Sequence, residues 1–158
     1  MYRFASIGIA ALLGACGFHL QGALATPPEM ERTYIAADDR HSLFYRELRV
    51  ALDSAGVDIV DSSIDATATL TISYDETDQR VLSVSARNVP TEYEVYYTIA
   101  YSLDNGRDNL LETQTLTVTR DYTYDSTLVL GKGREQELLR QALVDDLVRI
   151  VLKQISAI

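Results

Sequence analysis

Residue types that commonly carry out covalent or metal chemistry are scarce in this chain. Cys16 is the only cysteine, and His19 and His41 are the only histidines. A single cysteine cannot form a disulfide within the chain, and neither histidine has metal-ligand spacing to the cysteine or to the other histidine. The segment Gly131-Lys132-Gly133 lacks the spacing and the following Ser or Thr of a phosphate-binding loop, and there is no nucleophile-elbow motif. The sequence therefore favours a protein that is not an enzyme.

Cys16 has the position of a lipidation site. It follows Arg3 and the apolar residues 4–13, and two small residues directly precede it. The apolar run is shorter than the roughly 20 residues of a membrane-spanning helix, and its layout is typical of a secretory signal peptide. The segment resembles bacterial lipoprotein precursors, in which the thiol receives diacylglycerol and the peptide is cut before the cysteine. This resemblance predicts a signal peptide at residues 1–15 and a lipid anchor on Cys16. A buried N-terminal segment with a core cysteine is the alternative.

The composition indicates one acidic globular domain. The formal net charge is −9, and hydrophobic residues make up 47% of the chain. Such a chain can bury a core, but it lacks the basic surface of a general nucleic-acid-binding protein. Any anionic ligand must be held by a few placed Arg or Lys residues. Because Pro27-Pro28 marks a tether, we predict a lipidated tether at residues 16–31 and a single domain at residues 32–158.

Two amphipathic helices are predicted. Ser42 is a suitable N-cap for a helix whose apolar residues recur at helical spacing, and Gly56 suits its C-terminal cap. The second helix covers about residues 134–155 and carries a broad apolar stripe. The preceding Gly131-Lys132-Gly133 is either a loop or an early first turn of this helix.

Period-two alternation predicts the strands. A short strand at residues 32–37 precedes the first helix, and three alternating segments follow it: residues 66–74, 92–103 and 112–122. Residues 79–86 are a possible extension of the first alternating segment across a bulge or turn. We therefore predict an α+β fold with two helices on one face of a roughly four-stranded, mainly antiparallel sheet, in the order β-α-β-β-β-α.

Tyrosines are concentrated in these strands, where they either pack or form a contact surface. Tyr74 and Tyr97 fall on the apolar faces of their strands, whereas Tyr96 falls on the polar face. Tyrosine combines apolar area with a polar tip and is enriched at interfaces, so Tyr96 is a candidate for a partner interface. The polar faces also carry rows of threonines, including Thr67 and Thr117.

Several short motifs together resemble one family, the LPS-assembly lipoprotein family LptE. In chain order they are Cys16-Gly17-Phe18-His19-Leu20-Gln21-Gly22, then Leu52-Asp53-Ser54-Ala55-Gly56-Val57, Ser85-Ala86-Arg87-Asn88 with Glu92-Tyr93, and Leu130-Gly131-Lys132 before Glu135-Gln136-Glu137-Leu138-Leu139. The resemblance spans nearly the whole mature chain. It implies a protein that helps an outer-membrane β-barrel, LptD, to fold, plugs its lumen, binds lipopolysaccharide and aids its transfer to the outer leaflet. No reaction and no cofactor are implied.

The resemblance also implies particular residues and a location. Arg87 and Lys132 match the family's two basic positions and are candidate ligands for lipopolysaccharide phosphates, although either could be an ordinary solvated charge. Gly17 follows the cysteine where an inner-membrane lipoprotein has aspartate, so the expected location is the periplasmic side of the outer membrane. The threonine rows would suit a polar barrel lumen or simply solvent. An accessory subunit of another envelope secretion or transport complex is the main alternative, and a tethered periplasmic hydrolase is a weaker one.

Overall fold

The computed structural model describes residues 26–124 and 132–158. A 3-10 turn, Pro28–Met30, precedes seven elements. In chain order these elements are β1 Arg32–Ala37, α1 Leu43–Ser54, β2 Asp58–Val60, β3 Ala68–Val84, β4 Pro90–Asp104, β5 Asn109–Thr123 and α2 Lys132–Ile155.

The first helix begins and ends as the sequence predicts. The hydroxyl oxygen of Ser42 accepts a hydrogen bond from the backbone N–H of Tyr45 at 3.0 Å, which satisfies a donor that the first helical turn leaves free. Gly56 follows the helix at φ +89°, a left-handed conformation that a glycine adopts without steric cost. The face of α1 that carries Phe44, Leu48 and Leu52 is completely buried.

The sheet is mixed and has the strand order β2-β1-β3-β4-β5. β1 runs parallel to both β2 and β3, whereas the long strands β3, β4 and β5 pair antiparallel. The predicted α+β class is confirmed, and the predicted strand count is one short. The strand that was missed, β2, contains only three residues, which is too short for an alternation to be recognised.

Both helices pack with the sheet in one hydrophobic core. The core includes Ile99 and Tyr101 of β4, Leu48 of α1 and Leu147 of α2, each of which is fully buried. Met30 is also fully buried, so the core includes a residue from the stretch expected to be tether.

A bulge at Ser73 reverses the faces of β3. Ile72 lies opposite Tyr101 and Tyr74 lies opposite Ala100, so one residue of β3 has no partner in β4. The sequence alternation predicted that Tyr74 faces the core, and this prediction is wrong: its side chain is 44% exposed. Because side chains alternate along a strand, Asp75 takes the core-facing position instead.

The second helix begins earlier than the apolar stripe indicated. It includes Lys132, which resolves the open choice in favour of an early first turn. The phenol of Tyr101 donates a hydrogen bond to Gln154 near the end of α2, and burial raises the pKa of Tyr101 to about 12. At the middle of the helix, Asp146 accepts from Arg120 of β5 at 2.5 Å. These contacts fix the helix along the sheet.

Candidate functional site

One end of the sheet carries the Arg87 turn. Residues 85–89 connect β3 to β4, and the turn is closed by a hydrogen bond from the N–H of Ser85 to the carbonyl oxygen of Val89 at 2.8 Å. Asn88 adopts φ +58°, a conformation that asparagine tolerates better than most residues. The side chain of Arg87 is exposed, and no acidic residue in the described part of the chain forms an ion pair with it.

The start of α2 lies toward the same end. The side-chain amide nitrogen of Gln136 donates to Gln79 of β3 at 2.8 Å and to the hydroxyl of Tyr122 of β5 at 2.9 Å. Lys132 is one helical turn before Gln136, so the fold brings its backbone to the end that carries the Arg87 turn. The side chain of Lys132 lies outside the described part. Arg87 and the start of α2 therefore lie toward the same end of the sheet, and the binding role of Arg87 and Lys132 stays a prediction.

A tyrosine cluster lies behind this end. The rings of Tyr93 and Tyr122 are stacked with their centroids 5.6 Å apart, and the ring of Tyr124 meets Tyr93 edge-on at 5.5 Å. Such geometries are favoured for aromatic pairs. For these three tyrosines, packing is therefore at least part of the reason for their presence in the strands.

The outer sheet face, away from the helices, carries Tyr96. It lies opposite Asp78 of β3 and Thr119 of β5, and its side chain is half-buried. The guanidinium carbon of Arg80 lies 5.9 Å from the centre of the Tyr96 ring, and Arg80 forms an ion pair with Glu94 at 2.5 Å. The register therefore places Tyr96 on the polar face, while its role at a partner interface remains a prediction.

Threonines extend this outer face. The hydroxyls of Thr98 and Thr117 are 2.9 Å apart and hydrogen-bonded across β4 and β5. Thr67, directly before β3, has a different role, because its hydroxyl donates to the carbonyl oxygen of Glu29 at 2.7 Å. This bond attaches the N-terminal stretch to the sheet, so Thr67 does not present a free hydroxyl to a partner.

A buried polar contact between α1 and the sheet was not predicted from the sequence. The hydroxyl of Tyr97 donates to one carboxylate oxygen of Asp75 at 2.6 Å, and the hydroxyl of Ser42 donates to the other at 2.5 Å. Burial and the hydrogen bond to Asp75 together raise the pKa of Tyr97 above its ordinary value. The only signal in the sequence is a polar residue, Asp75, directly after an alternating segment. It is a weak indication of the bulge at Ser73 that turns residue 75 toward the core.

The predicted lipidation site, Cys16, lies outside the described residues. The described chain starts at residue 26 and joins the domain where Met30 is buried. Among residues 26–124 and 132–158, no helix has the length and apolar character needed to cross a membrane.

Comparison with known proteins gives the family. Residues 30–155 match the LptE family, described as lipopolysaccharide-assembly. The LPS-assembly lipoprotein LptE of Yersinia enterocolitica is 28% identical over 96% of this chain and 74% of its own length. The protein of the same name from Pectobacterium atrosepticum is 27% identical over 96% of this chain and 83% of its own length.

Solved structures agree with this fold. The solution structure of uncharacterized lipoprotein B from Nitrosomonas europaea is 27% identical, covers 89% of this chain and 91% of its own, and superposes with a TM-score of 0.75. Rare lipoprotein B from Shewanella oneidensis supports the fold alone, at 23% identity, 80% and 94% coverage and a TM-score of 0.69. The resemblance predicted from the ordered motifs is therefore confirmed, and this chain belongs to the LptE lipopolysaccharide-assembly family.

Proposed function

We propose that this chain is an outer-membrane lipoprotein that assembles with an LptD-type β-barrel, plugs its lumen, binds lipopolysaccharide and aids its insertion into the outer leaflet. The observation that carries the proposal is the family match, which covers residues 30–155 and so nearly the whole described domain. The two curated relatives are named for the assembly of lipopolysaccharide. The work proposed for this protein is binding and positioning, so it requires no bond-forming step and no cofactor.

The proposed lipopolysaccharide site is the end that carries Arg87 and the start of α2. An exposed guanidinium that has no ion-pair partner among the described residues can form charge-assisted, bidentate hydrogen bonds with a phosphate. The first turn of α2 adds free backbone N–H groups and the positive end of the helix dipole. Lys132 at that first turn is proposed as the second cation. Local placement matters because the chain as a whole carries a net charge of −9.

The proposed barrel contact is the outer face of β3, β4 and β5. This face presents hydroxyls, such as those of Thr98 and Thr117, together with Tyr96 and its charged neighbours. The interior of a large outer-membrane barrel is polar, so a hydrated, hydroxyl-rich surface suits it better than an apolar one. A diacylglycerol on Cys16 would keep the chain at the periplasmic side of the outer membrane, and further acyl chains would make that anchorage stable.

Lipopolysaccharide binding is tested by removing charge at the proposed site. We expect Arg87→Ala with Lys132→Ala to weaken binding of purified lipopolysaccharide by about tenfold or more, since a hydrogen bond to a charged group contributes about 1.5–3 kcal/mol. Arg107→Ala is the control for the first change, because Arg107 is exposed in the loop between β4 and β5 at the opposite end of the sheet. Equal binding by the control, the double variant and the unaltered chain would remove both residues from the site.

The barrel partnership is tested by isolating the chain from solubilised outer membrane. We expect a large β-barrel to co-purify, and we expect depletion of the chain to reduce lipopolysaccharide at the cell surface. Normal surface lipopolysaccharide, together with co-purification of a different envelope complex, would instead support an accessory subunit of that complex. Replacement of Tyr96 by Ala should reduce recovery of the barrel, whereas Val50→Ala, at an exposed position of α1 on the other side of the sheet, should leave recovery unchanged.

A further inference from the structure

The end of the β3–β4 hairpin exposes a concentrated apolar surface. In the described part of the chain, nine large hydrophobic side chains are strongly exposed, and four of them lie between residues 81 and 89. These four are Val81 at 47%, Leu82 at 45%, Val84 at 53% and Val89 at 45% exposure. Single exposed apolar residues are ordinary, but a cluster of them marks an interaction site.

The hairpin extends beyond the described part of β5 at this end. The last residue of β5, Thr123, lies opposite Glu92, and the N–H of Tyr124 donates to the carbonyl oxygen of Thr91, so the turn at residues 85–89 reaches past the described end of β5. Two register shifts, between Val81 and Ser83 and between Ser83 and Val84, make this part irregular. Bulges of this kind bend the edge of a sheet and reorient its side chains. Val84 and Val89 therefore belong to the hairpin end, and Val81 and Leu82 lie at its base, beside the last residues of β5.

The charge of this segment is unlike that of the rest of the chain. Arg87 is the only charged residue between Arg80 and Glu92, in a protein with a net charge of −9. Arg87 is exposed and has no ion-pair partner among the described residues. A lone cation on a hairpin that also exposes four apolar side chains is complementary to an anionic amphiphile, whose phosphate and acyl chains are joined in one molecule. A purely ionic ligand would leave the four apolar side chains in water.

We propose that the hairpin end, residues 81–91, inserts among the acyl chains of the lipopolysaccharide molecule whose phosphate Arg87 binds. This inference rests on the proposed lipopolysaccharide binding and adds the hydrocarbon half of the contact. Transfer of apolar surface out of water contributes roughly 25 cal/mol for each Å² buried, so half-exposed valines and a leucine gain most from contact with acyl chains. Residues 81–91 carry no charge other than that of Arg87, so no ionised side chain except the one that binds the phosphate would have to leave water.

Photo-cross-linking of the full-length lipoprotein in its own outer membrane tests the contact directly. A photo-reactive phenylalanine derivative is placed at Val84, and the control carries it at Ile64, which is 91% exposed in the loop before β3 at the opposite end of that strand. We expect irradiation to attach lipopolysaccharide at position 84, through an acyl chain, and not at position 64. Attachment of a protein at position 84, or of lipopolysaccharide through its sugars only, would overturn the inference.

A binding comparison separates this inference from the proposed function. The full chain with Val84→Ser and Val89→Ser should bind purified lipopolysaccharide about tenfold more weakly, since each change removes roughly two methyl groups from the contact. The control pair, Val50→Ser and Ile64→Ser, alters apolar side chains elsewhere that are more exposed, at 61% and 91%, and should bind normally. Deacylated lipopolysaccharide, which keeps its phosphates, should not distinguish the variants.

The outcomes of this comparison are distinct. Unchanged binding by the Val84/Val89 variant, with Arg87→Ala still weakening it, would overturn the acyl-chain contact and leave the proposed function intact. If the unaltered chain binds neither form of lipopolysaccharide, the proposed ligand is wrong and the inference is overturned with it.

Discussion

Asp75 connects the first helix to the sheet, and its replacement by alanine should destabilise the fold. Its carboxylate accepts from Tyr97 at 2.6 Å and from Ser42 at 2.5 Å. Tyr97 is only 3% exposed, so its O–H would lose its acceptor at a position largely shielded from water. Ser42 would keep its bond to the backbone N–H of Tyr45 but would lose its attachment to the sheet.

The expected loss is about 2–4 kcal/mol in the free energy of unfolding. One hydrogen bond to a charged group contributes about 1.5–3 kcal/mol, and a buried donor left unsatisfied carries a penalty of similar size. The bond from Ser42 adds less, because that hydroxyl is closer to solvent and can be hydrated. Domains of this size are stable by about 5–15 kcal/mol, so the variant should fold but unfold at clearly lower urea concentration.

Urea unfolding followed by circular dichroism measures this loss. Asp78→Ala is the matched control, because Asp78 lies on the same strand but is exposed on the outer face, and its removal should change stability by no more than about 0.5 kcal/mol. Tyr97→Phe should lower the free energy of unfolding by clearly less in the Asp75→Ala variant than in the unaltered chain, because the two residues share one hydrogen bond. Equal stability of Asp75→Ala and Asp78→Ala would refute the reasoning.

Two further predictions concern the second helix. The pKa of Tyr101 is raised to about 12, whereas the same phenol in the unfolded chain loses its proton near pH 10. The free energy of unfolding should therefore fall between pH 10 and 12, because only the folded state keeps the proton in that range. Tyr101→Phe should remove this part of the pH dependence, which is measured by urea unfolding. Gln136→Leu should break the hydrogen bonds to Gln79 and Tyr122. We expect faster amide hydrogen exchange at the start of α2, with little change at Leu147. An equal increase in exchange rate along the whole helix would contradict this prediction.

The sequence predicts the parts of the fold that local chemistry determines. The cap at Ser42, the glycine at position 56 and the alternation of β4 each depend on neighbouring residues, and the structure agrees with all three. β2 and the parallel pairing of β1 depend on residues far apart in the chain, such as Tyr34 opposite Val60 and Thr69. A three-residue strand carries no periodicity of its own, so this pairing was not predictable.

The site was only partly predictable for a related reason. The family motifs locate Arg87 and Lys132, but their position at one end of the sheet follows from the pairing of β3 with β4 and from the contact of Gln136 with β3. The face reversal at Ser73 was missed because a bulge adds one residue without altering the composition of the strand. That single residue exchanges the environments of Tyr74 and Asp75, so one error in register becomes two errors in burial.

The length of β3 can be compared with the thickness of a lipid bilayer. The strand has 17 residues, which corresponds to roughly 55 Å when extended. Thr67, directly before the strand, donates to the carbonyl oxygen of Glu29 on the side of the proposed anchor at Cys16, and the last residues of the strand lead into the hairpin turn. The hydrocarbon core of a membrane is only about 30 Å thick. With the proposed lipid anchor at one leaflet, the domain would be long enough along this single strand for its opposite end to reach the level of the other leaflet.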